Sequence, residues 1–132
     1  MKKGIKMVLA GVIMAGVLSN SGSAAFAQSQ AENATYSGHQ LECTLTTSWS
    51  LIGNDSATAK TYMKKWNGYQ AKVKLLQCQN AVDSYHLLDT DFGDTTAVVK
   101  GVKKGVWKFK SYHSVYNKAK IDATRVCTLT DW

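Results

Sequence analysis

From Leu41 to Leu51 the chain alternates strictly. Leu41, Cys43, Leu45, Thr47, Trp49 and Leu51 fall on one face, and Glu42, Thr44, Thr46, Ser48 and Ser50 on the other. A period of two is that of a strand with one buried face, and threonine suits the extended backbone. Gly53-Asn54-Asp55-Ser56 is turn chemistry. Residues 57–66 alternate less cleanly, and Ala, Lys and Met there also favour helix; the reading taken is strand. Asn67-Gly68, two residues tolerant of positive φ, predicts a hairpin. Tyr69, Ala71, Val73 and Leu75 then alternate with Gln70, Lys72 and Lys74, and the phase slip at Leu75-Leu76 predicts a bulge.

Further along, Tyr85–Leu88 is a short apolar piece, and Asp89–Asp94 reads as an acidic turn. Strands are expected over 95–102, 106–116 and 121–129, with turns at Gly101–Gly105 and Asn117-Lys118. No stretch holds a 3.6-residue period, and with no proline every turn rests on Gly, Asn, Asp or Ser. About seven short strands at this spacing predict an all-β fold, a small antiparallel sandwich or barrel.

The N-terminus has a different pattern. Lys2, Lys3 and Lys6 precede an uncharged apolar run, Met7–Leu18, and a small polar stretch ends in Ala25-Phe26-Ala27. Charge, apolar core and a small-x-small site are the parts of a secretory signal peptide, and the run is short for a bilayer span. The organisation expected is a signal peptide over 1–27, a flexible arm over 28–37 and a single β domain over 38–132. The leader's style is bacterial, so the acceptor patterns at Asn33 and Asn54 are not expected to carry glycans. The product is then secreted and extracellular.

Cleavage changes the charge. The whole chain carries +7, but three lysines leave with the leader, and the remaining 13 cations face nine carboxylates. Only Arg125 among those cations is arginine, so specific reading of bases, which leans on arginine's fork, is not expected. A basic lysine surface suits looser attraction to an anionic cell-wall polymer or a membrane surface. Lysines and aromatic residues interleave most densely over 100–120. Lys100, Lys103, Lys104, Lys108, Lys110, Tyr112, Tyr116, Lys118 and Lys120 are therefore the candidate binding residues. The same pattern also fits an amphipathic edge strand with Trp107 and Phe109 in the core.

Three cysteines enter an oxidising compartment on export. Cys43 and Cys127, each opening a Cys-Thr-Leu-Thr string near opposite ends of the domain, form the favoured disulfide; three reduced core cysteines are the alternative. His39, His86 and His113 lack metal-ligand spacing, although neighbouring strands could bring His86 and His113 together. The Asp89–Asp94 cluster lacks the closing glutamate of a calcium loop, since Lys100 stands there. No nucleophile–base set, glycosidase carboxylate pair or cofactor motif is legible, so the reading is non-enzymatic, with no cofactor or metal.

Within Gly105–Val126, Trp107, Phe109, Ser114, Tyr116, Lys118 and Ala123-Thr124 run in an order that resembles small secreted bacteriocins of the lactococcin 972 type. That resemblance implies a signal peptide, a basic β-rich body and antibacterial action; this chain differs in its cysteines and its greater length. The expectation is a secreted, non-enzymatic domain that binds the bacterial envelope or another polyanion. The alternatives are a bacteriocin-like antibacterial protein and an exported enzyme inhibitor presenting Asp89–Asp94 as a protruding loop.

Overall fold

The computed structural model describes residues 13–17 and 25–131. The expected cationic start of the leader and most of its polar stretch lie outside those residues. The described chain is all strand and turn: β1 (Ile13–Val17), β2 (Ala25–Tyr36), β3 (His39–Ser50), β4 (Asn54–Met63), β5 (Tyr69–Cys78), β6 (His86–Gly93), β7 (Thr96–Lys104), β8 (Lys108–Asn117) and β9 (Asp122–Asp131). One antiparallel sheet has the order β1-β2-β3-β4-β7, the other β6-β5-β8-β9. Leaving aside β1, which falls within the expected leader, eight strands build two four-stranded sheets rather than the seven anticipated.

Alternation explains the sandwich. Leu41, Cys43, Leu45 and Thr47 on β3 are buried at every second position, as are Ala57, Ala59, Thr61 and Met63 on β4. The second sheet answers with Ala71, Val73 and Leu75 on β5, Phe109 and Val115 on β8, and Leu129 on β9. A strand with one apolar face must lay it against another layer, and here each sheet supplies the other's cover.

Three expectations change. Residues 28–37 are no flexible arm: β2 pairs with β3 continuously from Ala25↔Ser50 to Tyr36↔His39, and the chain then turns through Ser37 and Gly38, both at positive φ. The segment looked unstructured because its side chains are small and polar; its order comes from ladder hydrogen bonds and from Gln30 and Glu32, buried beneath β9. Asn67-Gly68 does form a tight turn, with Gly68 at φ 83° and Tyr69 N donating to Trp66 O at 2.9 Å, but it carries the chain from one sheet to the other instead of closing a hairpin. Asp89–Asp94 is not an acidic turn: β6 runs to Gly93, and only Asp94 and Thr95 bend. Charged residues on this edge strand project from a sheet margin, where they deter strand addition.

The bulge expected at Leu75-Leu76 is present on the β6 side, where Leu75 pairs with Asp89 and Leu76 with Leu87. The supernumerary residue is Leu88, and its side chain lies against Gly101 of β7.

Candidate functional site: a cation–aromatic face on the second sheet

The residues singled out over 100–120 do not form one surface. Lys100 faces outward on the first sheet, opposite Thr58 of β4. Lys103 and Lys104 sit at the end of β7, at one pole of the sandwich. Lys118 and Lys120 lie in the β8–β9 turn at the opposite pole. Only Lys108, Lys110, Tyr112 and Tyr116 share a face: they alternate with buried Phe109, Ser111, His113 and Val115 along β8 and point away from the core.

The structure adds partners from neighbouring strands to that face. Lys72 and Lys74 of β5 stand opposite Ser114 and Tyr112, and Arg125 of β9 stands opposite Ser114 from the other side. A bulge between His113 and Ser114 brings Arg125 into this position. The three cations, with Tyr112, Ser114 and Tyr116, line a shallow concavity of about 360 Å³. Asp122 is the one carboxylate on its rim among the described residues. Among the described residues, none of the three cations has a carboxylate within ion-pair distance.

Aromatic rings hold Lys72, Lys110 and Arg125 in place. The Arg125 guanidinium carbon lies 3.6 Å above the centre of the Tyr112 ring. Lys72 Nζ lies 5.0 Å from the Phe92 ring centre, and Phe92 meets Tyr116 edge-on with centroids 5.0 Å apart. Lys110 Nζ lies 3.9 Å above Tyr85. Such contacts orient a charge without neutralising it, so it stays available to an anion. Partial burial, and then the charge of Lys74, hold the Lys72 ammonium below the usual lysine range. A half-buried cation beside a like charge is a place where a bound anion gains most.

The sequence did not point to Lys72, Lys74, Arg125 or Phe92. The alternation of Lys72 and Lys74 with Ala71 and Val73 marked the wet side of β5, but which strands flank β5 is a property of topology alone.

The three histidines stay apart. His113 is fully buried on β8, whereas His86 is exposed at the start of β6, 3.4 Å from Asp83. Both strands neighbour β5 on opposite sides, so they never meet. His39 stacks on Trp66 with ring centres 3.7 Å apart, and Trp66 stacks on Tyr69 at 3.8 Å.

Cys43 and Cys127 do meet, as free thiols across the two sheets. The Cys127 thiol is held protonated by its hydrogen bond with Cys43, by burial and by Glu32, whose Oε1 accepts its proton at 3.1 Å. Cys78 is buried elsewhere, next to Tyr85.

Comparison with family models, with curated proteins and with solved structures finds no match for this chain.

Proposed function

We propose that the protein is a secreted, non-enzymatic binding domain that holds an anionic, ring-bearing polymer of the bacterial envelope across the outer face of β5, β8 and β9. The observation that carries this reading is the convergence of Lys72, Lys74 and Arg125 around Tyr112 and Tyr116, with no carboxylate paired to them among the described residues. Sugar rings stack on tyrosine faces, and the phosphate or carboxylate groups between them match cations spaced along adjacent strands. A shallow, open concavity on a sheet suits a polymer that passes across it better than a small molecule that must be enclosed.

Secretion rests on the leader-like N-terminus. Ala27 pairs with Ser48 inside β2, so cleavage after it requires processing before β2 joins the sheet, as export of an unfolded chain provides.

The test is co-sedimentation with purified cell-wall polymer over a salt series. Retention should fall steeply with salt and be lost, by about tenfold or more, when Lys72, Lys74 and Arg125 are all replaced by methionine. Retention that ignores both salt and these substitutions would sink the proposal.

A further inference from the structure

The pole where β3 ends and β7 ends is built differently from the rest of the surface. Asn54 stands opposite Lys104, and Cys78 opposite Lys108, so the loops 51–53, 79–85 and 105–107 gather there from both sheets. Their tips are apolar. Leu51 is 74% exposed, Ile52 71%, Val82 94% and Trp107 41%. Toward the opposite pole Ile121 is 78% exposed and Phe92 42%, and these two stand on separate elements, the β8–β9 turn and β6, rather than on clustered loop tips.

These loops are pinned. Asp55, buried beneath them, accepts from Ser50 N at 2.8 Å and from Val106 N at 2.9 Å, tying 51–53 to 105–107. Trp107 N donates to Cys78 O at 2.7 Å, and Gln79 Nε2 to Lys104 O at 3.2 Å, which ties in 79–85. Within the loops, Gly53 N finds Ser50 Oγ and Val82 N finds Asn80 Oδ1. The loops that carry the apolar tips are therefore tied down, with the N–H groups of Ser50, Gly53, Val82, Val106 and Trp107 already given acceptors. That lowers the cost of moving such a loop out of bulk water.

Charge surrounds the tips. Lys103, Lys104 and Lys108 lie beside them. Of the carboxylates at this end, Asp55 is occupied by the two amides, and Asp83 accepts from Gln79 N and faces His86. Asp131 belongs to the same end, where its backbone pairs with Phe109.

We infer that this pole docks on an anionic bilayer surface: Leu51, Ile52, Val82 and Trp107 enter the boundary between headgroups and acyl chains, and Lys103, Lys104 and Lys108 lie at headgroup level. Aliphatic tips gain by leaving water, tryptophan settles at the interface, and lysines just behind them meet anionic lipid. A second copy would bury the same side chains but would bring two lysine clusters together. Lys108 stands where this pole meets the outer face of β8, but none of the residues that line the β5–β8–β9 concavity belongs to the pole.

The experiment uses protein purified as its host processes it, mixed with vesicles of phosphatidylglycerol and phosphatidylcholine or of phosphatidylcholine alone. The protein should sediment with the anionic vesicles, with a blue shift in tryptophan emission. The L51S/I52S variant should lose about tenfold in partitioning, and V82S should lose less. K118Q/K120Q, at the far pole, should partition as the parent does. Because these loops are exposed, an unchanged melting temperature shows that each variant is folded. Retention of L51S/I52S on cell-wall polymer keeps this result distinct from the binding reading above. Equal partitioning of parent and L51S/I52S overturns the inference. So does a parent that ignores vesicles but self-associates through Leu51 and Ile52.

Discussion

Thr61 Oγ1 lies 2.7 Å from His113 Nδ1, so a residue of β4 in one sheet and a residue of β8 in the other meet in a hydrogen bond inside the core. Thr61 gives its own proton to Lys72 O at 3.1 Å and therefore accepts from Nδ1–H. Ser111 Oγ, 2.7 Å from Nε2, completes the chain by donating to the other ring nitrogen. The network fixes a neutral imidazole in one tautomer with both nitrogens satisfied.

Stability should consequently depend on pH through His113. Burial lowers its pKa from 6.5 to about 3. Above the ordinary histidine range both folded and unfolded chains carry a neutral ring, and the group is silent. As pH falls through 6.5 toward about 3, the unfolded chain takes up a proton that the folded chain refuses, and stability drops. The contribution is at most ~1.4 kcal/mol per pH unit. Urea midpoints measured from neutral to mildly acidic pH should fall more steeply for the parent than for H113Q. Parallel slopes would mean that carboxylates alone carry the acid sensitivity.

Lys72 should trade stability for binding. Its ammonium is partly desolvated and faces Lys74, so its charge weakens the empty protein. The substitution K72M keeps the aliphatic stem on the sheet and removes that charge. The expected result is a melting temperature equal to or above the parent's, with several-fold weaker retention on wall polymer. A K72M protein that melts lower and still binds as the parent does would place Lys72 outside any site.

Cys43 and Cys127 should be inert in the folded protein and should join when it opens. Both are buried, and their mutual hydrogen bond, burial and Glu32 keep the Cys127 thiol protonated, so alkylation of native protein should leave them unmodified. In mild denaturant with oxidised glutathione, each thiolate displaces glutathione in turn and the pair closes, releasing two reduced glutathiones. The bridge would span a long loop and could stabilise by ~4 to 5 kcal/mol in the chain-entropy model. Peptide mapping should find Cys43 linked to Cys127, and a product linked through Cys78 would contradict the arrangement.

The sequence carried the local structure well. The alternation at Leu41–Trp49 and Tyr69–Leu75 gave the inner faces of β3 and β5, and the slip at Leu75-Leu76 marked the bulge, but Leu51, expected on the same buried face, lies beyond the end of β3 and is exposed. It failed where order comes from partners. β2 has almost no apolar period, because it is held by its ladder to β3 and by polar contacts to β9. The site was half legible for the same reason. Lys110, Tyr112 and Tyr116 lie on one strand and could be read from alternation, but Lys72, Lys74 and Arg125 join them only through pairing that no local pattern encodes. Lys100, Lys103 and Lys104 are near these residues in sequence but lie on the other sheet, and Lys118 and Lys120 fall in the β8–β9 turn rather than on the face.

Two glycines on the strands either side of the crossing between sheets, Gly93 at the end of β6 and Gly101 within β7, should differ sharply in their tolerance of alanine. A Cβ on Gly93 would overlap the carbonyl of Thr96, and the Thr96 carbonyl carbon would be 2.8 Å away. That backbone belongs to the β6–β7 connection, and Thr95 O there also accepts from Met63 N at 2.8 Å, so it cannot yield without disturbing both sheets. A Cβ on Gly101 would meet Leu88 Cδ1 at 2.7 Å and Leu75 Cδ2 at 2.9 Å, the far ends of side chains that can change rotamer. The substitution G93A should therefore cost ~3 kcal/mol or more, and G101A ~1 to 2 kcal/mol. Gly93 also follows Phe92, whose ring sets Tyr116 and underlies Lys72. G93A should accordingly weaken polymer retention in the fraction that folds, while G101A leaves it intact. Denaturant melts of both variants with binding assays on the same samples decide the matter, and equal costs would show that the crossover is more compliant than its packing implies.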